Sequence, residues 1–158
     1  MAFRIGTLLL ALVLLSSPAA AHAQAGTPAE TLVGQQVSPC PAGVPLAVTV
    51  TSGLWWPTIA GVAAPDGDRW LIVFADVRND GTAAGRVAGT LSVRDEQGRE
   101  VSAEDAGGPQ STFLADFYDM DDASSLVLPS TRVSTFVLFA VAAEAQTLTL
   151  VATPGACA

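Results

Sequence analysis

The chain contains no lysine, and its single histidine is His22. Its seven basic residues are therefore all arginine, set against 15 Asp+Glu for a formal net charge of −8. Only 14% of residues are charged and 6% are aromatic. Each scarcity excludes a class of function. Binding along a nucleic-acid backbone needs clustered Lys or Arg, so no nucleic-acid surface is expected. Without Lys there is no Schiff-base chemistry. Without a His beyond the N-terminal region, the Ser and Thr hydroxyls lack their usual activating base. Exported copper chaperones use His and Met ligands, and past the N-terminus only Met120 remains. Long apolar runs are missing as well. The stretches 8–15 and 136–143 have eight residues each, short of the roughly 20 that span a bilayer.

The N-terminus reads as a secretory signal peptide over residues 1–25. Arg4 supplies the positive charge, 8–15 the apolar core, and Ser16, Ser17 and Pro18 interrupt it. Two A-x-A cleavage sites follow, Ala21-His22-Ala23 and Ala23-Gln24-Ala25. No Cys follows the apolar core within the leader, so lipid anchoring is not expected. The expectation is a secreted or periplasmic protein with no membrane insertion after cleavage. Six Arg then face 15 acidic residues, a balance that favours solubility and repels anionic lipid. In that compartment the two cysteines, Cys40 and Cys157, are expected to form a disulfide. Closing so long a loop stabilises by about 4–5 kcal/mol in the chain-entropy view, and it requires the two ends of the domain to lie side by side.

Residues 26–45 hold Pro28, Pro39, Pro41 and Pro45 and suit an extended lead-in. From residue 46 to 158 the pattern is one of strands. Leu46, Val48 and Val50 alternate with Ala47, Thr49 and Thr51. Residues 70–77 are apolar on both faces, which predicts a central strand. Asn79-Asp80-Gly81 predicts a tight exit with positive φ angles. Val87 to Arg94 alternates, Asp95-Glu96-Gln97-Gly98 is a turn, and a Gly-, Pro- and Asp-rich stretch over 103–124 is the longest expected loop. Val133, Thr135, Val137 and Phe139 alternate again, as do Leu148 and Leu150. No sustained helical period stands out, and 141–146 is expected to be a connecting turn. The expected fold is an all-β, immunoglobulin-like antiparallel sandwich of about seven strands in a single domain.

The order of these features carries a resemblance. A central strand ending in Asn79 and Gly81 comes first, then a strand running into Asp95 and Gly98. Leu128-Pro129 and Phe136-Val137-Leu138-Phe139-Ala140-Val141 follow. This resembles the bacterial family called domain of unknown function 4352, exported immunoglobulin-like domains similar to a small secreted immunoprotective antigen of mycobacteria. Ser130 stands where that family usually has Gly, and Ala142 where it tends to have Pro. The resemblance implies a fold and a compartment, and no reaction.

Two sets of side chains stand out as candidate sites. Asp116, Asp119, Asp121 and Asp122 crowd one segment, with Asp66 and Asp68 in another turn. Calcium takes six to eight oxygen ligands, so this segment is either solvated surface or a divalent-cation site, although it lacks the spacing of an EF-hand. Trp55, Trp56 and Tyr118 are the candidate contact residues, because aromatics dominate binding hot spots. Adjacent strand residues point to opposite faces, so one Trp is expected in the core and the other at its rim. Phe117 is expected to pack in the core. Paired carboxylates are the only acid/base equipment left, and glycosidase chemistry needs them across a cleft that a sandwich this small has little room for. The expectation is a non-catalytic module, with no cofactor unless calcium, that meets an unknown protein or cell-surface component.

Overall fold

A computed structural model describes residues 29–39, 45–87, 91–104 and 107–153. Among these residues nine strands form in chain order: β1 (Gln36–Val37), β2 (Leu46–Trp56), β3 (Thr58–Ile59), β4 (Val62–Ala63), β5 (Asp68–Asn79), β6 (Leu91–Asp95), β7 (Glu100–Ser102), β8 (Arg132–Ala142) and β9 (Leu148–Ala152). One α-helix, α1 (Pro109–Tyr118), lies between β7 and β8. The first sheet runs β1-β2-β5-β8 and the second β7-β6-β9, all pairs antiparallel. The chain leaves β5 for β6 in the other sheet, returns to β8 beside β5, and leaves again for β9 beside β6. These three crossings lock the two sheets together as an antiparallel β-sandwich.

Strand β5 sits between β2 and β8, as its two-faced apolar pattern predicts. Leu71, Val73, Ala75 and Val77 point to the inner face. There they meet Leu46, Val48 and Val50 of β2 and Val137, Phe139 and Val141 of β8. Leu91, Val93, Leu148 and Leu150 of the second sheet close this core. The outer face of β5 and β8 is also apolar: Trp70, Ile72, Phe136, Leu138 and Ala140. It is covered by Leu114 of α1 and Ile59 of the β3–β4 hairpin. The Trp70 indole N–H holds that hairpin down, donating to the Val62 carbonyl at 3.0 Å.

Strand β2 changes phase along its length. Val50 pairs with Ala75 but Ser52 pairs with Phe74, so Thr51 is an extra residue. Such a bulge shifts the alternation by one. Leu46, Val48 and Val50 face inward, but beyond the bulge Gly53 and Trp55 do so, while Leu54 and Trp56 face outward. Gly53 leaves room for Ala29, whose Cβ would stand 3.0 Å from any Cβ at that position.

The expected lead-in begins to pack earlier than residue 46. Ala29 and Leu32 are buried, with a short 3₁₀ turn over Glu30–Leu32. Thr31 and Gln35 then act along β9 as a strand would. The Thr31 hydroxyl accepts from Leu148 N at 2.9 Å, and Gln35 Oε1 accepts from Leu150 N at 2.7 Å. Beside Leu148, which pairs with Asp95, Arg99 reaches Asp95 at 2.6 Å and Glu144 at 2.9 Å. Glu96 accepts from Gln146 N and Thr147 N. These bonds from backbone amides hold the Glu96 carboxyl below its usual range. Burial raises the Asp95 carboxyl, but the hydrogen bonds from Arg99 and Gln97 outweigh it and hold it low.

The exit from β5 works differently from the expectation. Asn79 stays in the strand and Gly81 has no positive φ. What fixes the turn is the Asn79 side chain, which is 0% exposed. Its amide donates to Ala83 O and Val127 O, and its carbonyl accepts from Gly81 N, each at 2.9 Å. Gly81 is needed for clearance, since a Cβ there would lie 2.6 Å from Pro45 Cδ. Asn79→Ala removes all three bonds, of which the one to the Val127 carbonyl is buried. It is expected to cost about 2–4 kcal/mol in urea unfolding. A loss under about 1 kcal/mol would show that the turn does not depend on this side chain.

Candidate functional site

The segment 103–124, expected to be a loop, contains α1. Pro109 opens the helix at a position where its missing N–H is harmless, after Gly108 as N-cap. Asp119 ends it in the left-handed conformation, φ 50° and ψ 49°, with its N–H on Ala115 O. Leu114 and Tyr118, four residues apart and so on one face, turn toward the sheet. Phe113 and Phe117, also four apart, turn away. Phe117 is 59% exposed, which corrects its expected place in the core: the helix gives the inward position to its neighbour Tyr118.

Trp56 and Tyr118 come together at a ring separation of 6.3 Å. Phe117 stands edge-on to Trp56 at 5.5 Å and to Tyr118 at 5.0 Å. Phe113 stacks on Phe117 at 6.1 Å, and Phe74 meets Tyr118 at 5.0 Å. Leu54, two residues before Trp56 on the same face of β2, is 43% exposed, and Phe113 is 38% exposed. The result is a continuous aromatic face across β2, β5 and α1. Burial raises the Tyr118 hydroxyl pKa above its usual value. Trp55 is not part of it. The bulge turns Trp55 to the inner side, where the Arg69 guanidinium covers its ring at 4.4 Å and donates to Ala143 O at 2.7 Å. Leu54 and Phe113 were not singled out from the sequence, and Phe117 only as a core residue. The pairs Phe113/Phe117 and Leu114/Tyr118 behind Pro109 are the helical signal that would have found them.

The acidic residues are not gathered into a ligand set. Asp116 is on α1 and Asp119 is its C-cap. Asp121 follows and offers its backbone carbonyl to the Thr135 hydroxyl at 2.8 Å. The Asp122 carboxylate is engaged locally: one oxygen accepts from the Ser124 amide at 2.9 Å and from the Ser124 hydroxyl, the other from Gly107 N at 2.9 Å. Asp68 lines a recess beside Asp95 and Arg99 instead. Among the described residues no group of three or more His, Cys, Asp or Glu stands in a metal-holding arrangement. Cys40 and Cys157 lie outside the described residues. Two recesses of about 130 Å³ each occur, one beside Asp95 and Arg99 and one beside Asp76 and Arg132. Small-molecule pockets usually run to about 300–1,000 Å³. In the second recess, hydrogen bonds from Arg132 and Ser134 hold the Asp76 carboxyl below its usual range. No helix among the described residues is long and apolar enough to cross a membrane.

No protein-family profile matches the chain, and no curated protein matches it. Solved structures do. A conserved hypothetical protein from Bacillus anthracis shares 12% identity at a TM-score of 0.50, over 72% of this chain and 80% of its own. The YjhA protein from Bacillus subtilis shares 13% at 0.48, over 77% and 79%. An uncharacterized β-sandwich protein from Clostridium difficile shares 13% at 0.41, over 72% and 77%. The antiparallel β-sandwich defined by the sheet topology is a fold the chain shares with the Bacillus anthracis protein.

With its carboxylate spent on the 107–124 loop, Asp122 acts as a structural brace. Asp122→Ala is expected to cost about 1–2 kcal/mol, equally in millimolar calcium and in chelator, as read by urea unfolding. A loss confined to the calcium series would assign the side chain to an ion.

Proposed function

We propose that this chain is an exported, non-catalytic immunoglobulin-like module that recognises a protein or cell-surface component outside the cytoplasm. The observation that carries this reading is the apolar face formed by exposed Leu54, Phe113 and Phe117 with half-buried Trp56. Burying a Phe side chain is worth about 1.5–3 kcal/mol, and contiguous exposed apolar surface marks interaction sites. The lack of Lys and of His beyond His22 supports a role without catalysis. Kinship with domain of unknown function 4352 is part of the proposal. Ser130, where that family usually has Gly, adopts φ 56°, the left-handed conformation that glycine takes without strain.

The Cys40–Cys157 disulfide belongs to the same reading. Thr31 bonds at Leu148 and Gln35 at Leu150, so the lead-in and β9 run side by side in one direction, toward Cys40 and toward Cys157. Produced from the full sequence in a bacterial host, the protein is expected in the extracytoplasmic fraction, beginning after Ala23 or Ala25. It is expected to have no thiol that reacts before reduction. Retention in the cytoplasm with the leader intact would overturn the export part.

A photo-crosslinking residue at position 117 is expected to capture a discrete extracytoplasmic partner. The same residue at exposed Thr149, on the second sheet, is expected to capture none. Equal capture from both positions would remove the aromatic face as the contact surface.

A further inference from the structure

We propose that the aromatic face docks an extended polypeptide segment that is both basic and apolar, with Lys or Arg beside aliphatic or aromatic residues. The inference rests on the recognition-module reading above and gives the partner its chemistry.

Charge supplies the first argument. Asp116, Asp119 and Asp121 are exposed around the rings and take part in no ion pair among the described residues. No basic residue occurs from position 100 to 131. Elsewhere Arg78 pairs with Asp80, Arg94 with Glu100, Arg99 with Asp95 and Glu144, and Arg132 with Asp76, while exposed Arg86 enters none of these pairs. Arg69 lies over Trp55 on the other side of the sheet. The aromatic face is therefore bordered by uncompensated negative charge. A second copy of this chain would bring like charges together, and a cationic segment would complete them. Guanidinium and ammonium groups are also attracted to exposed ring faces.

The open sheet edge supplies the second argument. On β2, β1 pairs only with Val48 and Thr49, and among the described residues those from Ser52 to Trp56 pair with β5 on one side alone. An unpaired edge offers backbone groups to an added strand. Leu54 and Trp56 lie on that edge strand, and Trp56 touches Phe117. A strand laid along β2 would place every second side chain over the rings and the Asp116–Asp119 flank.

A random peptide library displayed on phage tests this, selected on the wild-type protein and counter-selected on Phe117→Ser. Phe117 is exposed, so the variant keeps the fold, and an unchanged melting temperature confirms it; Phe113→Ser is a second variant. The enriched peptides are expected to combine Lys or Arg with apolar residues. As synthetic peptides they are expected to bind Phe117→Ser about tenfold more weakly. Binding to Asp116→Asn/Asp119→Asn is expected to be about threefold weaker, with a flatter salt dependence. Neutral or acidic winners that still need Phe117 would overturn the basic partner and leave the recognition face standing. Winners indifferent to Phe117, or no enrichment, would overturn the inference itself, while export and cross-linking at position 117 judge the module reading separately.

Discussion

Strands β5 and β8 carry apolar side chains on both faces, and a sheet with no polar face must be covered twice. The inner cover is the second sheet, reached by two crossings of the sandwich. The outer cover is smaller, made of Leu114 from one helix and Ile59 from a two-residue strand. An antiparallel sandwich commonly leaves the outside of each sheet to water. Here the outer face of β5 and β8 is wet only toward one end, where Asp76, Arg78, Arg132 and Ser134 replace Trp70, Ile72, Phe136 and Leu138. The helix is therefore a requirement of the sequence of β5 rather than an ornament on a loop.

That requirement also explains where the surface rings lie. The extra residue at Thr51 turns Leu54 and Trp56 outward, on the side that α1 covers. Without it, the alternation begun by Leu46, Val48 and Val50 would send Leu54 and Trp56 into the core and Trp55 out. A one-residue shift moves every later side chain to the other face. Trp55, once inside, needs a lid, and the Arg69 guanidinium supplies it.

The strands, their order of burial and the sandwich were legible because period-2 alternation and two-faced apolar runs report directly on sheet position. The helix was not, because Gly108, Pro109 and three acidic residues near its end resemble loop composition, and its apolar pairs span barely more than one turn. Asn79 looked like a turn residue by type. Its burial depends on Ala83 and Val127, which only the fold brings near. Trp56 and Tyr118 were recognisable as aromatics, but their meeting across 62 positions depends on the bulge and on α1 together. Asp122 looked like its acidic neighbours, and its separate role follows from the Gly107 amide folding back onto it.

Anchoring and display are divided within one helix. Leu114 and Tyr118 hold α1 to the sheet, while Phe113 and Phe117 face water from the adjacent positions. The outward pair is thus not needed to cover β5 and β8. A ring stacked on a packed helix has also lost most of its freedom before any partner arrives, so less entropy remains to be lost on contact. Exposed rings on a flexible loop would lack that advantage. Because the sheet's need for a cover fixes the helix, the aromatic face inherits its rigidity from the core, and its outward residues can change without changing the fold.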